Sequence, residues 1–233
     1  MRKLFFIPIL LFSLLLGTTS YAADFNTGLT AAQNGDFATA LKEWKPLAEQ
    51  GLAEAQYFLG YMYYNGDGVL QDDKEAVRWY RLAAEQGYVF AQYNLGVMYD
   101  NGDGVPQDDK EAVRWYRLAA EQGHVKAQYN LGQKYRKGEG VPEDDKEAVR
   151  WYRLAAEEGY AFAQSNLGVM YAFGFGVLKD YVYAHMWGSI GSMNGSDKGA
   201  LLRDEFAEKM TSSQIEEAQR LARECVKKNY KGC

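Results

Sequence analysis

The sequence KEAVRWYRLAAEQG, residues 74–87, returns unchanged at residues 110–123. It returns a third time at residues 146–159 with one difference, Glu158 in place of glutamine. Tryptophan keeps the same spacing of 36 residues into a fourth copy, at Trp79, Trp115, Trp151 and Trp187. Because a fixed period of this length is typical of stacked structural repeats, we divide the chain into four units: 52–87, 88–123, 124–159 and 160–195.

Each unit is predicted to form two helices joined by a turn. In the second unit, the first helix has apolar residues at helical spacing: Ala91, Leu95, Met98 and Tyr99. A glycine-rich turn at residues 102–106 ends this helix, and Asp108 or Asp109 can cap the second one. The second helix has an apolar stripe followed by a helix-ending glycine: Ala112, Trp115, Tyr116 and Ala119, then Gly123.

A glycine occurs inside the first helix of every unit, at Gly60, Gly96, Gly132 and Gly168. Glycine inside a helix costs about 1 kcal/mol relative to alanine, so its repetition indicates that another helix approaches closely there. Trp115 and Tyr116 are predicted to fill the space between neighbouring helix pairs. We expect these residues to form the core of the repeat array.

The order of these motifs resembles the Sel-1-like repeat (SLR) family, a relative of the tetratricopeptide repeat. The matching pattern is A-Q-Y-N-L-G-x-M-Y, then G-x-G-V, then D-x-x-x-A-x-x-W-Y-x-x-A-A-E-Q-G, and it covers residues 52–195. The resemblance implies an all-α, right-handed α/α superhelix, a solenoid of helix-turn-helix repeats that holds other proteins. It implies no reaction.

The segments on either side of the repeats are predicted to cap the array. Residues 23–51 resemble a shorter helix pair without the G-x-G-V turn, and residues 196–233 are predicted to form C-terminal capping helices. The last of these helices has two overlapping capping-box candidates, one beginning at Thr211 and the other at Ser213.

Residues 1–22 are predicted to be a signal peptide. A short basic head precedes an apolar run at residues 4–16, which is too short to span a bilayer comfortably. Small residues then lead to a cleavage site between Ala22 and Ala23. A membrane anchor is the alternative interpretation of this segment. Cleavage would leave a periplasmic or secreted protein with no membrane insertion.

The charge balance argues against a nucleic-acid partner. The chain has 26 lysine and arginine residues against 31 aspartate and glutamate residues, a formal net charge of −5. Loss of the signal peptide would remove Arg2 and Lys3 and make the chain more negative still. Nucleic-acid binders need a basic face that releases counterions. We therefore expect no nucleic-acid partner.

The two cysteines, Cys225 and Cys233, lie close together at the C-terminus. In an exported chain they meet an oxidising compartment, so we expect them to form a disulfide. That bond would tie the C-terminal tail back onto the preceding helix. A redox-active role is the alternative, and the absence of a C-x-x-C motif argues against it.

The sequence carries no catalytic motif, and no cofactor is expected. The alternative function is a β-lactamase-like or penicillin-binding hydrolase, because some cysteine-rich, exported members of the family are described in those terms. However, no serine is followed three residues later by lysine, and no K-T-G is present. Ser196-Asp197-Lys198 resembles only a fragment of such a site.

The two histidines of the chain are poor candidates for a metal site or a catalytic triad. His124 stands at the position of Leu52, Tyr88 and Tyr160 in the other units, and it is predicted to pack or hydrogen-bond like a flat ring. His185 stands at the position of Val77, Val113 and Val149, and it is predicted to lie at the surface beside Trp187.

The acidic residues around the glycine-rich turn resemble a calcium loop only superficially. In the second unit they are Asn101, Asp103, Asp108 and Asp109, and in the first Asn65, Asp67, Asp72 and Asp73. The D-x-[DN]-x-[DN]-G spacing and the closing glutamate of such a loop are absent. Turn and helix-cap chemistry explains these residues, so no metal is expected.

The copies differ mainly along the first helix. Comparison of the first three units shows variation at four positions spaced 4, 3 and 3 residues apart, which places them on one helical face. These positions hold Glu54, Phe90 and Lys126; Phe58, Asn94 and Asn130; Tyr61, Val97 and Gln133; and Tyr64, Asp100 and Arg136. The second helices hardly differ, which recent duplication explains. In tetratricopeptide-like solenoids the first helices line the concave surface, so we expect a binding groove there.

Rings and amides also recur on this face, at Tyr57, Tyr93 and Tyr129 and at Asn94, Asn130 and Asn166. Tyrosine is common at binding hot spots, and asparagine can hold an extended peptide by its backbone amides. Both residue types can equally serve the scaffold, by packing between repeats and capping helix ends. The predicted partner of this monomer is a protein or peptide; a partner in cell-wall or polysaccharide assembly is the alternative.

Overall fold

The computed structural model describes residues 23–233, so the predicted signal peptide at residues 1–22 lies outside the described residues. This part of the chain contains twelve α-helices and no strand. In chain order they are α1 Phe25–Gln33, α2 Phe37–Glu49, α3 Ala53–Asn65, α4 Asp73–Glu85, α5 Val89–Asn101, α6 Asp109–Glu121, α7 Val125–Lys137, α8 Asp145–Glu157, α9 Ala161–Phe173, α10 Tyr181–Met193, α11 Asp197–Ala207 and α12 Ser212–Lys227. None of these helices is long and apolar enough to cross a bilayer.

The helices pack in sequential order. Each first helix (α3, α5, α7, α9) packs against the second helix of its own unit (α4, α6, α8, α10). Each second helix up to α8 also packs against the first helix of the next unit. The predicted all-α solenoid with two helices in each unit is confirmed.

Local signals set the ends of the helices as predicted. Asp108 caps α6, because its Oδ1 accepts the backbone N–H groups of Lys110 and Glu111 at 2.9 and 3.2 Å. The open choice between Asp108 and Asp109 is thereby settled. Gly102 ends the first helix of the unit in the left-handed conformation, at φ 82°, where a side chain would be strained.

The glycine inside the first helix makes room for the second helix of the same unit. A Cβ built on Gly96 would lie 2.7 Å from the ring of Tyr116, and the first and third units repeat this arrangement. In the fourth unit Gly188 stands at the position of that tyrosine, and it lies against Gly168. The predicted close approach of the helices is confirmed.

The tryptophan of each second helix packs into the core formed by the two preceding helices. Trp115 of α6 is 3% exposed and shares one cluster with Tyr80, Leu95 and Met98. The equivalent tryptophans of α4 and α8 occupy the matching clusters one unit earlier and one unit later. The predicted role of Trp115 in the core is confirmed, and this residue joins consecutive units.

A buried glutamine near the start of each first helix links it to the helices around it. Gln92 donates to a backbone carbonyl of α4 and accepts a hydrogen bond from Gln122 at 2.7 Å. In the third unit the counterpart of Gln92 is Gln128, and Glu158 stands in place of the donor Gln122. The Oε1 of Gln128 is therefore buried without a partner among the described residues. Glu158 instead accepts from Lys231. The one letter that differs between the three copies of KEAVRWYRLAAEQG is therefore contacted by the C-terminal tail.

The repeated arginines of the second helices also make repeated contacts. Arg81 donates to the Tyr99 hydroxyl at 2.6 Å, and the Arg78 guanidinium lies 4.0 Å from the centroid of the Trp79 ring. Both contacts recur in the next two units. Arg78 and Glu85 are exposed, whereas Arg81 is half-buried, so the contact with Tyr99 gives the repeated Arg81 a structural role.

Helices α1 and α2 lie at the N-terminal end of the array. Trp44 of α2 stacks on Phe58 of α3, with ring centroids 4.7 Å apart. Its indole N–H donates to the carbonyl of Phe25 at 3.2 Å. A single tryptophan thus holds both N-terminal helices against the first unit.

At the other end, α11 packs on α9 and α10, and α12 packs along α10. Of the two capping-box candidates, the one beginning at Thr211 forms. Cys225 and Cys233 lie in disulfide geometry, with Cα atoms 5.6 Å apart. The Tyr230 hydroxyl donates to Asn194 at the end of α10 at 3.0 Å. The cysteine pair therefore encloses a tail that is docked on the repeat array.

The predicted surface position of His185 is wrong. Its side chain is 3% exposed, because α11 and α12 both pack against α10. Burial lowers the pKa of His185 below its usual value, with the nearby Arg203 acting in the same direction. The equivalent position is already buried in the other units, where Val77 is 4% exposed.

Candidate partner-binding surface

All residues predicted to bind a partner lie on α3, α5, α7 and α9, and none of them is buried. Tyr61 and Phe90 are 45% and 49% exposed, which is high for large apolar side chains. We call the surface that carries these residues the first-helix face. Three cavities open on this face. Two lie toward the N-terminal end of the array and one toward the C-terminal end, and we call the corresponding parts the N-terminal and C-terminal halves of the face.

The N-terminal half contains two neighbouring cavities, each with four aromatic side chains in its lining. The larger, of about 610 Å³, has among its lining residues Tyr57, Phe90, Tyr93, Asn94, His124 and Lys126. The smaller, of about 190 Å³, includes Tyr61, Tyr64, Tyr93, Asn94 and Val97. No carboxylate lines either cavity.

The C-terminal half contains one cavity of about 400 Å³ between α7, α9 and the start of α11. Predicted residues in its lining are Tyr129, Gln133, Arg136 and Asn166. Lys137 and Lys198 line it as well, so the charged residues in its lining are all cations.

Four predicted residues line none of these three cavities: Glu54, Phe58, Asp100 and Asn130. Phe58 packs against Trp44 of the N-terminal helix pair. Part of its variation between units therefore reflects contact with the end of the array.

The aspartate at position 100 is explained by a contact within the scaffold. Lys134 replaces the methionine that the other three units have at this position, and it is 5% exposed. It donates to Asp100, to Asp109 at 2.8 Å and to Glu139 at 3.1 Å. Burial alone would lower the pKa of Lys134, but the hydrogen bonds to these carboxylates raise it overall. The lysine therefore stays charged, and Asp100 compensates its charge.

His124 behaves as the predicted flat ring. It stacks on Tyr93 with ring centroids 4.4 Å apart, and its Nδ1 accepts the backbone N–H of Ala127. Burial lowers the pKa of His124, and the nearby Lys126 lowers it further. The neutral ring thus forms part of the aromatic wall of the larger cavity.

The constant tyrosines serve the scaffold and line the cavities at the same time. Tyr93 packs against the ring of Tyr116 at 6.0 Å, and burial raises its pKa. The same ring lines both cavities of the N-terminal half. Asn166 accepts a hydrogen bond from Lys198 at 2.8 Å and lines the C-terminal cavity. These residues therefore pack within the scaffold and also form part of the first-helix face.

Sequence comparison of three units missed Phe162 and Lys198. Phe162 is 52% exposed and stands in the fourth unit at the position of Glu54, Phe90 and Lys126. Including that unit in the comparison would have identified it. Lys198 belongs to α11, outside the repeats, and no repeat position predicts it.

The acidic residues of the turns have the structural roles expected of them. Asp103 accepts from the Asn101 amide at 3.1 Å, and Asp108 caps α6. Within residues 23–233, no three histidine, cysteine or acidic side chains are grouped to hold a metal ion. Ser196 is 2% exposed and its hydroxyl accepts the backbone N–H of Gly199, so it serves as the cap of α11.

The chain matches the family profile of the Sel1 repeat four times, at residues 53–88, 89–124, 125–160 and 161–196. These matches begin one residue later than the units drawn from the repeated tryptophans and glycines. Among curated proteins, none matches the chain.

Two solved structures share both sequence and fold with it. A Sel1 repeat protein from Oxalobacter formigenes is 32% identical, with a TM-score of 0.75 over 84% of this chain and 85% of that protein. The protein c5321, a protective antigen of uropathogenic Escherichia coli with an SLR fold, is 30% identical, with a TM-score of 0.56. That alignment covers 89% of this chain but 55% of c5321, so the chain spans about half of that relative.

Proposed function

The chain belongs to the Sel1 repeat family, and from this premise we propose that it is an exported, non-enzymatic scaffold that binds a protein or peptide on its first-helix face. One observation carries the proposal: variation between the units gathers on that face. The second helices of the first three units, α4, α6 and α8, make up the opposite side of each pair and remain nearly identical. A fixed scaffold with one diversified face is the pattern of a repeat protein that recognises a partner.

The exposure of aromatic side chains supports the same face. Tyr61, Phe90 and Phe162 are each between 45% and 52% exposed, and each belongs to a different first helix. Large aromatic side chains beside open cavities supply contact area at little conformational cost. Burying such rings against a partner would release the water that now covers them.

Export is supported from both ends of the chain. Residues 1–22 have the charge and hydropathy pattern of a signal peptide. Cys225 and Cys233 lie in disulfide geometry, and such bonds persist in oxidising compartments. The related c5321 is a protective antigen, which accords with a protein that leaves the cytoplasm.

The proposal predicts that partner capture depends on the first-helix face alone. Tyr61→Asp with Phe90→Asp would place charges at the N-terminal cavities, and we expect this variant to lose at least about tenfold in capture of the natural partner. Leu82→Asp with Leu118→Asp is the matched control, because these leucines are each 37% exposed on the second helices.

The measurement is quantitative affinity capture from the envelope fraction of the source cells by the wild-type protein and both variants. Circular dichroism melting of each variant checks that the fold is retained. Proteins lost only with the first-helix variant support the proposal. Equal loss with both variants, or loss only with the second-helix variant, would place binding elsewhere.

A further inference from the structure

The charges lining the three cavities have one sign. They are Lys126, Arg136, Lys137 and Lys198, and no aspartate or glutamate lines any of these cavities. The whole chain carries a formal net charge of −5, so this arrangement runs against the average of the surface. A cavity lined by charges of one sign attracts a ligand of the opposite sign.

Lys198 is the cation with the fewest partners in the C-terminal cavity. Its ammonium group donates to Asn166 at 2.8 Å, and within residues 23–233 it has no carboxylate in salt-bridge contact. Lys198 is exposed, and partial desolvation by its surroundings lowers its pKa. By contrast, Arg136 lies 3.4 Å from Asp145, and Lys137 lies 3.6 Å from Glu139.

The two halves of the first-helix face differ in their chemistry. The N-terminal half presents rings, including Tyr61, Tyr64 and Phe90, and a single lining cation, Lys126. The C-terminal half presents three cations, Arg136, Lys137 and Lys198, beside two tyrosine rings. A ligand that fits both halves has apolar side chains at one end and negative charge at the other.

Amide side chains occur in both halves. Asn94 lines both N-terminal cavities, while Gln133 and Asn166 line the C-terminal one. An amide group donates and accepts hydrogen bonds at once, which suits the alternating N–H and C=O groups of an extended peptide. This feature favours a peptide over a ligand that carries acceptors alone.

We propose that the occupant of the first-helix face is an acidic peptide segment, with its carboxylates against Lys198 and Lys137 and its apolar side chains in the tyrosine-lined N-terminal cavities. This inference rests on the proposed function. It adds the charge of the bound segment and states which half of the first-helix face its charged part and its apolar part contact.

The test begins with selection of random displayed peptides on the purified, disulfide-bonded protein. We expect the selected peptides to be enriched in aspartate and glutamate at one end and in aromatic or aliphatic residues at the other. Raising the salt concentration should weaken their binding, because exposed charge pairs are screened.

Charge reversal then locates the acidic end of the highest-affinity selected peptide. Lys198→Glu with Lys137→Glu should lower its affinity by about tenfold or more. Lys110→Glu with Lys146→Glu makes the same change in net charge at exposed positions of the second helices, and it should alter the affinity by less than about twofold. When the peptide acids are replaced by their amides, the first pair of substitutions should have no further effect.

The outcomes separate this inference from the function on which it rests. Selected peptides without acidic enrichment, or equal losses in the two charge-reversed variants, would overturn the acidic peptide and leave the first-helix face as a binding surface. If the selected peptides bind with undiminished affinity to Tyr61→Asp with Phe90→Asp, both the inference and the proposed function fail.

Discussion

Replacing Trp115 by alanine is expected to lower the free energy of unfolding by about 3–5 kcal/mol. The side chain is 3% exposed and packs in one cluster with residues of α4 and α5. Truncation would remove this packing and leave a cavity between consecutive units. Because each unit of a solenoid contacts only its neighbours, no other part of the array can supply the lost contacts.

Two further substitutions in α6 separate packing from other causes. Trp115→Phe should cost less than Trp115→Ala, since it keeps a ring and removes an indole N–H that has no acceptor among the described residues. Leu118→Ala, at a position 37% exposed, should cost less than about 1 kcal/mol. Urea unfolding followed by circular dichroism gives the free energy of unfolding of all three variants. Equal losses for Trp115→Ala and Leu118→Ala would contradict the placement of the tryptophan in the core.

Replacing Gly104 by alanine should destabilise the protein by about 2–5 kcal/mol. The residue has φ 69°, and an added Cβ would overlap the backbone carbonyl of Asp73. The positive φ costs about 1–2 kcal/mol for a residue with a side chain, and the overlap adds about 1–3 kcal/mol. The turn of one unit is therefore held against the start of the second helix of the unit before it.

Gly123→Ala is the matched control for Gly104→Ala. Gly123 also has a positive φ, of 87°, but an added Cβ would meet nothing within 4 Å. Its replacement should cost only the free energy of placing a residue with a side chain at positive φ, about 1–2 kcal/mol. Thermal or urea unfolding of the two variants gives the difference in their stability. If the two substitutions destabilise equally, the close contact between the Gly104 turn and Asp73 is not present in the protein.

Residues whose role depends on local rules could be predicted from the sequence. The aspartate cap of α6 and the glycines inside the first helices follow from backbone requirements, and Trp115 follows from helical periodicity. His185 shows where this reasoning fails, because a polar residue is assigned to the surface from its chemistry alone. The equivalent Val77 is 4% exposed in the first unit, so the position is buried by the repeat itself, and α11 and α12 pack against the same helix in the fourth unit.

The candidate binding surface could be predicted in part. The four variable positions lie on one exposed face because spacings of 3 and 4 residues fix their direction on a helix. Asp100, however, varies together with Lys134, which is buried on the neighbouring first helix. Lys198 enters the surface from α11, outside the repeats. Both facts depend on contacts between helices that are distant in the sequence.

Photocrosslinking in living cells tests most directly the claim that the first-helix face binds a partner. A photoreactive residue would replace Asn94 or Gln133 on that face, with Arg78 and Arg114 on the second helices as controls. We predict a discrete adduct from Asn94 and Gln133 only, whose partner mass spectrometry would identify. Equal labelling from both sides of the array, or an adduct from the second helices alone, would contradict the account.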